Sequence, residues 1–202
     1  MQQFESQLRV FVLGDQLITA SGDPKGMGWL GRVQARTPQV DPTLEVIPLA
    51  FPDDNSHALS KRWLSEVQPR MTQTGQNRLV VALGNHDIRA GLSTSRSRLN
   101  LATVLDEAIR LGMEPFVVGP TPHKEAALNG EIEHLSWGFE DVCNRRNVPF
   151  VDCFHPLVEH QAWNQELQDS PNGLPGQIGY GLIAWLVLNR GWLQWLGIEE
   201  HE

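Results

Sequence analysis

The hydrophobic positions fall into five short runs separated by stretches of helical periodicity. The first, Arg9-Val-Phe-Val-Leu-Gly-Asp15, is nearly continuous rather than alternating and ends in Gly-Asp. That pattern predicts a strand buried on both faces, with a loop at its carboxyl end. Leu79–Leu83, Pro115–Gly119 and Val148–Asp152 read the same way. Leu44–Leu49 is the weakest of the set, because Pro48 has no N–H to give to a ladder. Between the runs, Leu101, Val104, Leu105 and Ala108 fall at i, i+3, i+4 and i+7, one face of a helix that Gly112 can end. Ala58–Val67 and Ile132–Cys143 carry the same period less cleanly. Ile178–Leu196 is apolar nearly all round, as in a helix that is mostly buried or covered by a partner.

Strand alternating with helix predicts a parallel sheet with helices on both faces, in one domain over residues 1–202. Such a sheet binds ligands at the carboxyl ends of its strands. The loops that matter are therefore Gly14–Gly31, Leu49–His57, Gly84–Ser95, Gly119–Lys124 and Glu166–Gly179. Trp29, among Gly26, Gly28 and Gly31, is expected to pack a long loop over the mouth of that site.

Composition narrows the classes. Lys plus Arg total 16 against 24 for Asp plus Glu, a net charge of −8. That balance argues against nucleic acid and against an anionic membrane surface as partners. The longest apolar run, Leu182–Leu188, is far too short to span a bilayer. The opening Met-Gln-Gln-Phe-Glu-Ser-Gln-Leu-Arg-Val lacks the basic and apolar regions of a signal peptide. Cys143 and Cys153 have neither metal-site nor redox-motif spacing, so two reduced thiols in a cytoplasmic protein are expected. No His spacing marks a metal site, and no cofactor is expected.

Val12-Leu-Gly-Asp-Gln-Leu17, Leu83-Gly-Asn-His-Asp-Ile88 and Pro171-Asn-Gly-Leu-Pro-Gly-Gln-Ile-Gly-Tyr180 follow one another in the order and strand context of three family blocks. On these the chain resembles the SGNH, or GDSL, esterase and lipase family from Val10 to about Trp192. The Gly22–Arg32 stretch looks like a loop of one bacterial branch. The resemblance implies a three-layer α/β/α sandwich, flavodoxin-like, with about five parallel strands. It also implies relatives that hydrolyse esters, thioesters and acetylated sugars.

The departures fall on every chemical role. Aligned with the family, the nucleophilic serine is Gln16, the oxyanion glycine lies near Ala50, the oxyanion asparagine is His86 and the catalytic histidine is Leu174. The aspartate that orients that histidine falls on Pro171, with Asp169 two residues before it. An amide is not a nucleophile that a base can activate, and leucine does not titrate. The expectation is a pseudo-hydrolase that keeps a pocket lined by Asp15, Gln16, Ala50, His86, Asp87 and Leu174. Its ligand would be a small acyl, acetylated or sugar compound.

Three alternatives stand beside it. Ser21 or Ser170 could serve as a displaced nucleophile in a working esterase or acylhydrolase, although serines in Gly/Pro-rich loops are usually turn residues. Asp15, His86 and Asp87 could hold a metal, against which Asp15 more simply fixes its own loop. A protein-partner scaffold stands level with ligand binding. Trp192 and Trp195 give the last helix two large rings, which close the underside of the sheet or form a homodimer contact.

Overall fold

The computed structural model describes residues 7–38 and 43–198. Its sheet has five parallel strands, β1 (Gln7–Gly14), β2 (Thr43–Ala50), β3 (Gln76–Ala82), β4 (Glu114–Val118) and β5 (Phe150–Val151), in the order β2–β1–β3–β4–β5. The pairing continues from β2 to β1 to β3 to β4 to β5, parallel throughout. Gly14 stands opposite both Ala50 and Ala82, so β2, β1 and β3 end level and their following loops share one edge.

Alternation along the strands sorts the core into two layers. Val10 and Val12 face one side with Val80 and Phe116; Phe11 and Leu13 face the other with Leu79 and Val81. Helices α1 (Gly28–Arg36), α7 (Gln161–Asp169) and α8 (Gln177–Val187) cover the first side. Helices α2 (Ser56–Val67), α4 (Thr94–Arg110) and α5 (Ala126–Asn144) cover the second. Three one-turn helices, α3 (His86–Arg89), α6 (His155–Val158) and α9 (Leu193–Leu196), a 3-10 turn at Gln68–Arg70 and a π turn at Leu188–Trp192 make up the remaining helical elements among the described residues. The expected three-layer α/β sandwich is the observed fold.

Pro48 is accommodated because β2 is an edge strand, where a missing N–H leaves no ladder partner stranded. Two expectations are corrected. Trp29 is not a loop residue over the site: it lies in the first turn of α1 and is buried at 1% exposure. The apolar tail is not one straight helix, since the chain kinks at Gly191 (φ 93°) between α8 and α9. That kink turns Trp192 and Trp195 inward, where both rings pack on Phe116 with centroids 5.7 and 5.0 Å away. They close the sheet and do not form a surface, whereas Trp185 on α8 is 60% exposed. Cys143 and Cys153 are free and buried in opposite layers of the core. Burial pushes the Cys143 thiol up to about 12. No helix among the described residues is long and apolar enough to cross a membrane.

Candidate functional site

Where β1 and β3 end, two glycines let the chains converge. A Cβ on Gly14 would stand 2.0 Å from the Ala82 carbonyl oxygen, and one on Gly84 would stand 2.3 Å from Asp15 Oδ2. The space at Gly84 is taken by the Asp15 carboxylate, which is 1% exposed. Asp15 Oδ1 accepts the Leu17 N–H at 3.0 Å, fixing the turn that presents Gln16. Its Oδ2 lies 3.4 Å from His86 Nε2.

The carboxamide of Gln16 sits at the centre. Its Oε1 accepts the backbone N–H of Asp53 at 2.9 Å, and its Nε2 lies 3.2 Å from His86 Nε2 and 3.4 Å from Asp53 Oδ1. The amide NH2 only donates, so when it serves His86 the ring proton lies on Nδ1, 3.6 Å from Asp53 Oδ1. Asp53 adopts the left-handed conformation with φ 57°, which aspartate tolerates better than most residues. This corrects the reading of Ala50. Ala50 ends β2 opposite Gly14, and the N–H that reaches residue 16 belongs to Asp53, three positions later.

A cleft of about 470 Å³, counted out to its open mouth, lies beside this cluster. Four of the five expected loops meet there: Asp15–Leu17, Gly84–His86 with Arg89, Thr121–His123, and Asn172–Pro175. The fifth contributes through Asp53. Asp15, Gln16, His86 and Leu174 line the cleft; Ala50 and Asp87 do not. Asp87 is buried behind it, where Oδ1 accepts the Ser56 N–H at 2.6 Å and steadies the start of α2.

The alternative nucleophiles lie outside. Ser21 Oγ is 3.2 Å from Thr19 Oγ1, and its carbonyl accepts the Tyr180 hydroxyl at 2.6 Å. Ser170 Oγ accepts the Leu174 N–H at 3.1 Å. Asp169 is exposed and bonds the Gln165 amide. No imidazole among the described residues is hydrogen-bonded to either serine hydroxyl. No cluster of His, Cys, Asp and Glu among the described residues has metal-binding geometry.

Sequence reasoning missed Arg89, His123 and Trp163, which all line the cleft. Arg89 Nη2 lies 3.2 Å from His123 Nε2. Burial, reinforced by the Arg89 charge, pulls the His123 pKa below its usual value. The wall that holds Leu174 is itself held by Glu166, whose carboxylate accepts the N–H groups of Gly176, Ile178 and Gly179 at 2.6–2.8 Å. Nothing in the spacing of Arg89, His123 and Trp163 marks them, because only the folded loops bring them together.

The model of the GDSL-like lipase/acylhydrolase family matches residues 12–182. Solved structures with the same fold include a lipase/acylhydrolase from Enterococcus faecalis, 18% identical, covering 96% of this chain and 99% of that one at a TM-score of 0.70. The psychrotrophic esterase EstA from Pseudoalteromonas sp. is 16% identical, covering 94% and 98% at 0.70. Axe2, an acetylxylan esterase from Geobacillus stearothermophilus, is 14% identical, covering 98% of each at 0.70. No curated protein sequence matches the chain.

Proposed function

Because the chain belongs to the GDSL-like lipase/acylhydrolase family, we propose that it is a member that has lost hydrolysis and kept the cleft as a binding site for a small molecule. The observation that carries this reading is Gln16. Its carboxamide occupies the place where the family resemblance puts a serine, and its Oε1 takes the Asp53 N–H. Acyl transfer of the serine type needs a hydroxyl activated by a base and a donor free to meet the developing oxyanion. Here the amide supplies no hydroxyl, Leu174 supplies no base, and the donor is already engaged. The site imitates a bound carbonyl with its own side chain. The buried free thiols fit a reducing compartment, and we place the protein in the cytoplasm.

The test is hydrolysis of p-nitrophenyl acetate and butyrate by the purified chain, beside a variant carrying Gln16→Ser and Leu174→His. The wild type is expected to match a heat-killed control, and the double variant to gain turnover. Wild-type turnover well above that control, lost on Ser21→Ala or Ser170→Ala, would establish the displaced-nucleophile esterase instead.

A second reading has its own observation. Trp185 stands 60% exposed beside an apolar groove lined by Pro156, Leu157, Leu182 and Leu186. Exposed apolar patches of this kind mark contact surfaces, and a second copy of the chain is the partner we infer for it.

A further inference from the structure

We propose that the cleft takes a small aliphatic carboxylate, whose charge docks against Arg89 with His123 and the Trp163 indole beside it. This rests on the reading of the cleft as a ligand site and adds the ligand's chemical class.

Arg89 lines the cleft, and among the described residues no carboxylate lies within ion-pair distance of it. Its near neighbour does not satisfy it. His123 Nδ1 accepts the Glu125 N–H at 3.1 Å, while Arg89 Nη2 faces Nε2 at 3.2 Å. Both partners are donors, and a neutral imidazole has a single acceptor nitrogen. The pair therefore presents one more N–H than it can use internally. A second surplus lies in the same wall. Trp163 is 1% exposed, and its Nε1 has no hydrogen-bond partner among the described residues. A buried donor without a partner is uncommon in a folded chain, and a ligand acceptor would complete it.

The carboxylate in the cleft wall is that of Asp15. Asp15 Oδ1 is bonded to the Leu17 N–H and Oδ2 faces His86. Arg89 itself has no carboxylate partner among the described residues, and a ligand carboxylate suits the planar fork of an arginine. Leu17, Leu167, Leu174 and Pro175 add aliphatic wall, which favours a short hydrocarbon chain over a sugar.

Sodium butyrate and its neutral isostere butyramide separate charge from shape. The experiment is titration of the full chain with each at constant ionic strength, followed by thermal shift and by ligand-observed NMR. Butyrate is expected to bind and butyramide to bind roughly tenfold more weakly, the cost of losing a charged hydrogen bond. Arg89→Met should erase that preference, and Arg89→Lys should restore part of it; circular dichroism checks that both variants fold. Trp163→Phe should weaken butyrate with its preference over butyramide intact. Equal binding of the two ligands, an unaltered preference in Arg89→Met, or an equal response to inorganic phosphate overturns the proposal. Turnover of p-nitrophenyl acetate is read on the same samples. Turnover together with Arg89-dependent butyrate binding defeats the loss of hydrolysis alone, and an inert chain that ignores butyrate defeats the carboxylate alone.

Discussion

Gly84 shows how little room the cleft leaves for change. Its demand is for space rather than for an unusual dihedral, because the Asp15 carboxylate fills the volume a side chain would need. Gly84→Ala should push Asp15 off the Leu17 N–H and release the turn that holds Gln16. Overpacking of this kind costs about 1–3 kcal/mol, read as a lower urea midpoint at unchanged slope. A midpoint equal to wild type would show that Asp15 moves freely and is not the anchor of the turn. Much of this was legible from residue types. Gly14 with Asp15, Gly84 with His86, and Leu174 stand in blocks whose order alone brings them to one edge of a parallel sheet. Asp53 and Arg89 were not legible. Asp53 matters through a left-handed backbone that turns its N–H toward Gln16. Arg89 matters through the loop that carries His123, 34 positions away. Spacing within one segment does not encode either relation.

Among the elements, α1 was hidden in the sequence by its own glycines. Gly26, Gly28 and Gly31 read as a loop, yet tertiary contacts make a helix from Gly28 onward and bury Trp29, Leu30 and Val33. Its start is not capped by Met27 but by Asp23, whose carboxylate accepts the N–H groups of Lys25, Met27 and Gly28 and pairs with Arg32. The Arg32 hydrogen bond holds the Asp23 carboxyl far below the usual carboxylate range, against the opposing effect of burial. A depressed carboxyl stabilises the fold fully above its unfolded value, about pH 4. The contribution fades as pH falls through the folded value. Asp23→Asn should therefore lose about 3 kcal/mol at neutral pH by leaving Arg32 buried without its partner. The gap to wild type should narrow steadily below about pH 4. Urea unfolding at a series of pH values checks it, and a gap that stays constant into acid would mean that Asp23 acts by shape alone.

For the whole molecule, the doubly wound topology follows from alternating runs and helices, and the distribution of aromatic rings decides what remains for a partner. Of seven tryptophans, five are buried, and the kink at Gly191 folds Trp192 and Trp195 into the layer above β4. Of the two readings the sequence left open for these rings, closing the sheet or forming a dimer contact, the structure has the first. The exposed rings are Trp137 and Trp185, at 47% and 60%. Trp137 lies against His155, with ring centroids 5.9 Å apart and planes 23° from parallel. Trp185 faces solvent on the helix that backs the sheet, with Ile178 on the same helix 53% exposed. A chain of net charge −8 repels its own copies at long range, so a dimer through α8 must draw its stability from this apolar face. It should therefore strengthen with added salt, as screening removes the repulsion and leaves the apolar contact. Light scattering is expected to give a mass twice the monomer's 22.7 kDa, and Trp185→Glu to return it to one. A wild-type mass of 22.7 kDa at every salt concentration would remove the dimer and leave Trp185 as an isolated exposed ring.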